Sequence, residues 1–147
     1  MVLVKPWAHG QVVPDGWAER HRPIVAGFFC DTAVVRRKTG RTDSGDGLGT
    51  QVDTWTNLTP GGGVRALMQV KHSQRAGERD SAGNPIVVAN YYCRLAVEWL
   101  PEVGDRIVIT ASPDPANLGT YVVRERESQG HVVDRTLHCE RVSADTD

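Results

Sequence analysis

Chain-breaking residues are the feature that most limits what this chain can fold into. Fifteen glycines and eight prolines are spread along its 147 residues. Several of the segments between them are short and rich in β-branched or alternating apolar residues, which favours short strands joined by turns over long helices. The sequence therefore predicts a mainly β fold. We expect a small single β-barrel or sandwich of six to seven strands, with an N-terminal arm or short helix and long polar loops.

The clearest strand signal lies in segment 91–99. Tyr91, Cys93, Leu95, Val97 and Trp99 alternate with more polar residues, a pattern typical of a strand with one buried face. Weaker β patterns predict further strands in the segments 32–38, 51–58, 64–71, 105–111, 121–127 and 131–142.

The chain divides into three predicted parts. Residues 1–23 form an N-terminal arm in which a short helix can begin after Asp15, a plausible N-cap, and is interrupted by Pro23. Residues 24–142 form the β domain, with polar loops at 39–50 and 72–85. Residues 143–147 form an acidic tail.

Charge and hydropathy exclude several classes of protein. The net charge of −1 gives no global positive field to attract nucleic acid or an anionic membrane. The longest apolar run, 24–30, is far too short to span a bilayer. The three cysteines are an odd number without close spacing, which indicates reduced thiols rather than a disulfide framework.

Motifs for catalysis or cofactor binding are incomplete. The glycine-rich segment 45–49 lacks the Lys-Ser/Thr of a phosphate-binding loop. His138 and Cys139 supply zinc-ligand atom types, but neither C-x-x-C nor H-x-x-x-H spacing accompanies them. We therefore predict no catalytic residue, no metal site and no cofactor, and we do not expect an enzyme.

One basic cluster stands out, formed by Arg36, Arg37 and Lys38. It can be a solvated strand end or a contact patch for a partner. A nucleic-acid interface would use such side chains on phosphates, beside exposed aromatic residues. No aromatic residue is interleaved with this cluster.

The second half of the chain resembles a known family. The ordered elements are VEWLPEVGDRIVIT at 97–110, SPDPANLGTYVV at 112–123 and RTLHCERV at 135–142. Together with the segment 31–37, the glycine- and aspartate-rich loop and Trp55, they resemble the head-to-tail connector proteins of long-tailed bacteriophages. The resemblance covers residues 24–142 and points to the head-completion or stopper group of the actinobacterial-phage type.

The resemblance implies a structural virion protein at the phage neck, assembled in the host cytoplasm. Such a protein forms a homo-oligomeric ring, sixfold or twelvefold, below the portal or head-tail adaptor and above the tail terminator or tail tube. It joins the DNA-filled head to the tail and helps to retain the genome. DNA passes through the channel without specific binding, and neither a cofactor nor a membrane is implied.

Two sets of residues are candidates for contacts in such a ring. Trp7 and Trp17 can anchor the N-terminal arm on a neighbour, or fold back onto their own domain. Either polar loop can face the channel, through Arg41, Asp43 and Asp46 or through His72, Arg75 and Arg79.

Two other functions remain open at this point. The chain can be a tail-completion or tail-terminator protein of the same virion, which shares its size and β-rich character. Alternatively, it can be a small OB- or SH3-like nucleic-acid-binding module that uses the basic cluster and Tyr92.

Overall fold

The computed structural model describes residues 13–128 and 132–142, and they form a mainly β fold. One helix, α1, spans Trp17–Ala26. The strands are β1 Asp31–Asp43, β2 Gln51–Asn57, β3 Val64–Arg79, β4 Pro85–Leu95, β5 Arg106–Ala111, β6 Gly119–Arg126 and β7 Arg135–Arg141. A short 3-10 helix, Pro115–Asn117, connects β5 to β6. The predicted fold class, mainly β with six to seven strands and a short N-terminal helix, is confirmed.

The sheet closes on itself. The strands follow the order β2-β1-β3-β4-β7-β6-β5, and β5 pairs back onto β1. All of these pairs are antiparallel. β1 makes the closure possible because it is long: its first half lies between β3 and β5, and its second half pairs with β2. Six strands thus form a ring, and β2 extends it on one side.

The interior of the ring is filled by apolar side chains, which alternate along each strand with outward-facing residues. The largest of them, Tyr121, is fully buried, and its hydroxyl donates to the carbonyl of Asn117 at 2.9 Å. The core consists of Ala33, Val35, Ala66, Met68, Cys93, Leu95, Ile107, Ile109, Tyr121, Val123, Leu137 and Cys139.

Two hairpins extend beyond the closed part of the sheet. β1 pairs with β5 only as far as Arg36, yet it continues to Asp43 beside β2. β4 pairs with β7 only from Tyr91 onward, whereas the β3–β4 pairing runs up to Arg79 and Pro85. Because β1 and β3 are antiparallel neighbours and each hairpin turns at the C-terminal end of its first strand, the two hairpins leave opposite ends of the ring.

The predicted polar loops at 39–50 and 72–85 are partly wrong, because much of each segment belongs to these hairpins. Residues 39–43 belong to β1, which passes Thr39 through a register shift between Lys38 and Gly40 instead of turning there. Residues 72–79 belong to β3, so that only 80–84 form the turn of the predicted loop 72–85. The polar composition was misleading because a hairpin exposed on both faces needs no buried apolar face.

The N-terminal helix also differs from its prediction. Its N-cap is Gly16 rather than Asp15, and it runs through Pro23 to Ala26, across the boundary expected at residue 23. Tertiary contacts hold the helix in place: Ala18 is buried, and Arg22 donates to the Val132 carbonyl at 3.0 Å. Packing therefore overrides the break that proline favours in an isolated helix.

The strand predicted at 91–99 is shifted. β4 begins at Pro85 and ends at Leu95, because the chain turns there and the Trp99 N–H donates to the Ala96 carbonyl at 3.1 Å. Trp99 still packs against the core from this turn. The inward phase of the prediction is correct for Cys93 and Leu95, which are fully buried.

Candidate contact surfaces

The basic cluster at 36–38 is largely neutralised by the fold. Arg37 forms a two-pronged ion pair with the buried Asp105, with N–O distances of 3.0 and 2.8 Å, and lies 3.7 Å from Glu102. The Asp105 carboxylate raises the pKa of Arg37. Arg37 therefore links β1 to the turn before β5. Because its guanidinium is already paired with Asp105, it is not free to bind a phosphate.

The next cations in β1 share one carboxylate. Lys38 Nζ and Arg41 Nε approach Asp53 Oδ1 of β2 at 2.8 and 2.9 Å. Hydrogen bonds from Lys38, which has the larger effect, and from Arg41 lower the pKa of Asp53. These pairs lie across the β1–β2 hairpin, where they stabilise its register instead of forming a positive surface.

Arg36, the third member of the basic cluster, lies in a different environment from Arg37 and Lys38. It faces outward opposite Arg106 of β5, and the Arg106 guanidinium lies 4.3 Å from the centre of the Trp55 ring. The Arg36 Nε atom is buried without a hydrogen-bond partner among the described residues. Sequence reasoning did not identify Trp55 as a neighbour of the basic cluster, because the two meet only through the pairing of β1 with β2 and β5.

The first set of predicted channel residues forms a tightly bonded hairpin tip, which we call the β1–β2 tip (residues 41–53). Asp43 accepts the Gly45 N–H and Asp46 accepts the Leu48 N–H, both at 2.9 Å. Hydrogen bonds from the Thr50 side chain and the Leu48 backbone lower the pKa of Asp46. Neither carboxylate forms an ion pair within the described part of the chain, so the tip presents net negative charge.

The second set lies on what we call the β3–β4 ribbon (residues 71–90). His72 and Arg79 are exposed in β3. Arg75 is in the same strand, but its side chain lies outside the described part of the structure. Asp80 closes the ribbon by accepting the N–H groups of Ala82 and Asn84, which lowers its pKa.

One face of the β3–β4 ribbon continues the inward, buried face of the closed sheet. Beyond the core pair of Met68 and Cys93, the same face carries Val70 opposite Tyr91, His72 opposite Ala89 and Gln74 opposite Val87. Val70, next to the core residue Met68 on this face, is 39% exposed, and Val87, further along the ribbon, is 58% exposed. The apolar interior thus extends onto a surface that nothing in the described structure covers.

The backbone edges of the β3–β4 ribbon are also unpaired. β1 pairs with β3 only at residues 64–66, and β7 pairs with β4 only at residues 91–95. Between these positions and the turn, both outer edges of the ribbon lack a partner strand among the described residues. Such edges are the usual points at which another strand adds to a sheet.

The two tryptophans of the arm have different outcomes. Trp7 lies outside the described residues. Trp17 begins α1, is partly buried, and stacks on His21 of the same helix with ring centres 4.2 Å apart. The most exposed apolar groups near this helix are instead Ile24 and Phe28, at 59% and 72%, which sequence reasoning placed only within an apolar run.

Two of the three thiols lie in the core and the third is exposed. Cys93 and Cys139 are buried in the core, and desolvation raises both thiol pKa values, that of Cys139 to about 12. Cys30 is exposed. No group of three or more potential metal ligands is found within residues 13–128 and 132–142. In the same ranges, no helix has the length and apolarity needed to cross a membrane.

A known family model matches most of the chain. The model of a family described as "Family of unknown function (DUF6093)" matches residues 21–140. This range contains all of the strands except the last residue of β7 and includes most of α1. No curated protein matches the chain.

Proposed function

The chain belongs to the DUF6093 family, and we propose that it is a structural virion protein that forms a ring at the neck of a long-tailed phage. In this role it joins the DNA-filled head to the tail and helps to retain the genome. Its partners are further copies of itself, the portal or head-tail adaptor above and the tail terminator or tail tube below.

The arrangement of the two hairpins is the observation that supports this proposal most. Each subunit of a connector ring must present different surfaces to its two neighbours, and here the β1–β2 tip and the β3–β4 ribbon leave opposite ends of one closed sheet. The ring of six strands between them provides a rigid spacer with a continuous core. The resemblance of residues 24–142 to head-to-tail connectors adds the biological context.

The charge arrangement favours a channel over a DNA-binding surface. The chain has a net charge of −1, and the side chains of Arg37, Lys38 and Arg41 are engaged by Asp105 and Asp53. A protein through which DNA must pass benefits from weak attraction to phosphates, because affinity for DNA rises with every phosphate that is neutralised. These ion pairs within one chain therefore support the connector over a nucleic-acid-binding module.

A genetic experiment tests the proposed role. A phage in which the gene for this chain carries an early stop codon, grown with and without the chain supplied in trans, is examined by electron microscopy of the lysate. We expect DNA-filled or leaking heads and separate tails of normal length without the chain, and joined particles with it. Normal joined particles in the absence of the chain would overturn the proposal.

The other two functions give different outcomes in the same study. A tail terminator would leave tails of abnormal length, because its absence removes the stop signal for tube growth. A nucleic-acid-binding module would bind DNA as the purified chain, with an affinity that falls steeply as salt is raised. We expect tails of normal length and little binding to DNA.

A further inference from the structure

We propose that the β1–β2 tip of one copy binds the β3–β4 ribbon of the next copy, and that this contact joins the subunits of the ring. The inference rests on the proposed function for the ring itself, but the contact can be measured on the purified chain. It identifies which surface of each subunit meets which surface of its neighbour.

The β3–β4 ribbon has the properties of a surface that is covered in the assembled state. Beyond the closed sheet, β3 extends about 30 Å over residues 71–79 and β4 about 20 Å over residues 85–90, at about 3.3 Å per residue. A two-stranded hairpin alone in water is only marginally stable. Val70 and Val87 are exposed on the face that continues the core. A partner on this face would remove apolar surface from water and support the ribbon.

Charge identifies the occupant as a second copy of this chain. The ribbon carries three basic residues and His72 against two acidic residues, so its formal charge is positive. The β1–β2 tip carries three aspartates against one arginine. Arg41 is already paired with Asp53, which leaves Asp43 and Asp46 to face the cations of the ribbon, of which Lys71 and Arg79 are exposed.

The shape of the tip also fits this partner. Leu48 and Val52 are 85% and 49% exposed, and they give the acidic tip an apolar component that can meet Val70 and Val87. The outer edge of β2 has no partner strand among the described residues. Backbone groups on this edge can pair with a free edge of the ribbon.

The positions of the two surfaces determine the type of assembly. Because the tip and the ribbon lie at opposite ends of the subunit, the contact joins two different surfaces and leaves one of each free on every dimer. Such head-to-tail contacts build rings when the rotation between subunits closes. A two-fold dimer would instead bury the same surface of both copies.

Charge reversal tests the contact on the full-length chain. We compare the wild type with D43K/D46K, which makes the tip basic, and with K71E/R79E, which makes the ribbon acidic. Self-association is measured by sedimentation velocity and light scattering. A control variant, E19K/E125K, changes the net charge as much as D43K/D46K but alters exposed residues outside both surfaces. Circular dichroism confirms that each variant is folded.

We expect the wild type and the control to self-associate, and each charge-reversed variant to do so at least about tenfold more weakly. Mixing D43K/D46K with K71E/R79E is expected to restore assembly, because every basic tip then meets an acidic ribbon and every acidic tip a basic ribbon. A ring of six or twelve subunits can alternate in this way.

Three results would overturn the contact: a wild-type chain that remains monomeric, charge-reversed variants that assemble as the wild type does, or a mixture that stays dissociated. Misfolded chains could not assemble after mixing. Restored assembly of the mixture therefore shows that each variant alone lacks the contact and not the fold. If the stop-codon phage joins heads to tails normally while mixing restores assembly, the proposed function is refuted and the contact is supported. If the stop-codon phage fails to join heads to tails while mixing does not restore assembly, the function is supported and the contact is refuted.

Discussion

Buried carboxylates hold the ends of several strands in this protein. Asp31, Asp105 and Asp134 are between 2% and 4% exposed, and a buried charge is tolerated only where it is paired or hydrogen-bonded. Asp31 accepts the Met68 N–H at 2.7 Å, and Asp134 accepts Arg94 Nε at 2.6 Å. Each carboxylate thus joins segments that are distant in the sequence, which a local pattern of residues cannot reveal.

Replacement of Asp105 by alanine is expected to destabilise the fold by about 2 kcal/mol. The change leaves Arg37 and the Glu102 N–H without their acceptor. Loss of one partner of a buried pair costs about 3–5 kcal/mol, and we expect less because the Arg37 side chain is 35% exposed. Urea unfolding measures the difference in the free energy of unfolding. Asp53→Ala is the control, and an equal effect of the two changes would contradict this account.

Two neighbouring glycines give a matched test of backbone constraint. Gly63 has φ +82°, and a Cβ there would lie 2.6 Å from Thr32 Cγ2, whereas a Cβ at Gly62 would meet nothing within 4 Å. We expect Gly63→Ala to lower the free energy of unfolding by about 2 kcal/mol, and Gly62→Ala to leave it unchanged within about 0.5 kcal/mol. Thermal and urea unfolding of both variants measure this. Equal stability of the two would be inconsistent with the close approach of Gly63 to β1.

The three thiols are expected to differ in reactivity. Cys93 and Cys139 are buried and have raised pKa values, so that both remain protonated and inaccessible at pH 8, where the thiolate is the reactive form. Cys30 is exposed. A colorimetric thiol reagent should therefore titrate one thiol per native chain and three after denaturation. Rapid reaction of all three in the native protein would show that the core opens readily.

At the scale of the elements, the alternation of apolar residues predicted which faces are buried, but not how far the strands extend. Cys93 and Leu95 were correctly placed in the core. The ends of β1 and β3 were missed, because strands that leave the ring expose both faces and lack an alternating pattern. The β3–β4 ribbon is held by cross-strand pairing over residues 71–74 and again at Arg79, with a register shift between Gln74 and Arg79. This pairing depends on a turn at Asp80 that local composition marks only as polar.

Shortening the ribbon should separate folding from assembly. His72 and Ala89 are paired across β3 and β4, so Asn-Gly in place of residues 73–88 can close the hairpin as a two-residue turn. No core residue lies in the removed segment. We therefore expect near-native circular dichroism and thermal midpoint but loss of self-association, measured by light scattering. Phage particles carrying the shortened chain are expected to leak DNA.

The matched variant shortens the other hairpin. Thr42 and Val52 are paired across β1 and β2, and Asn-Gly in place of residues 43–51 removes the acidic tip without touching the core. It should have the same effect on assembly, because the proposed contact needs both surfaces. Unfolding of either variant would mean that the hairpins support the ring of strands. Retained assembly of both would contradict their role as contact surfaces.

At the scale of the whole molecule, the mainly β fold class was predictable from the sequence, but the choice between a closed barrel and a sandwich was not. Closure depends on the pairing of β1 with β5, whose segments are some 70 residues apart. The ion pair of Arg37 with Asp105 spans the same interval, and it changes the basic cluster from a surface patch into an internal support. The opposite directions of the two hairpins likewise follow from strand order, which no local pattern specifies.

The central claim is that this chain forms a ring at the phage neck, and electron cryomicroscopy of the particle tests it most directly. Particles that carry an epitope-tagged copy of the chain are reconstructed with symmetry imposed only locally at the neck. The account predicts a sixfold or twelvefold ring between the portal and the tail, into which the closed sheet fits with both hairpins at subunit contacts. Particles that lack the chain, or that hold it away from the neck, would contradict the claim.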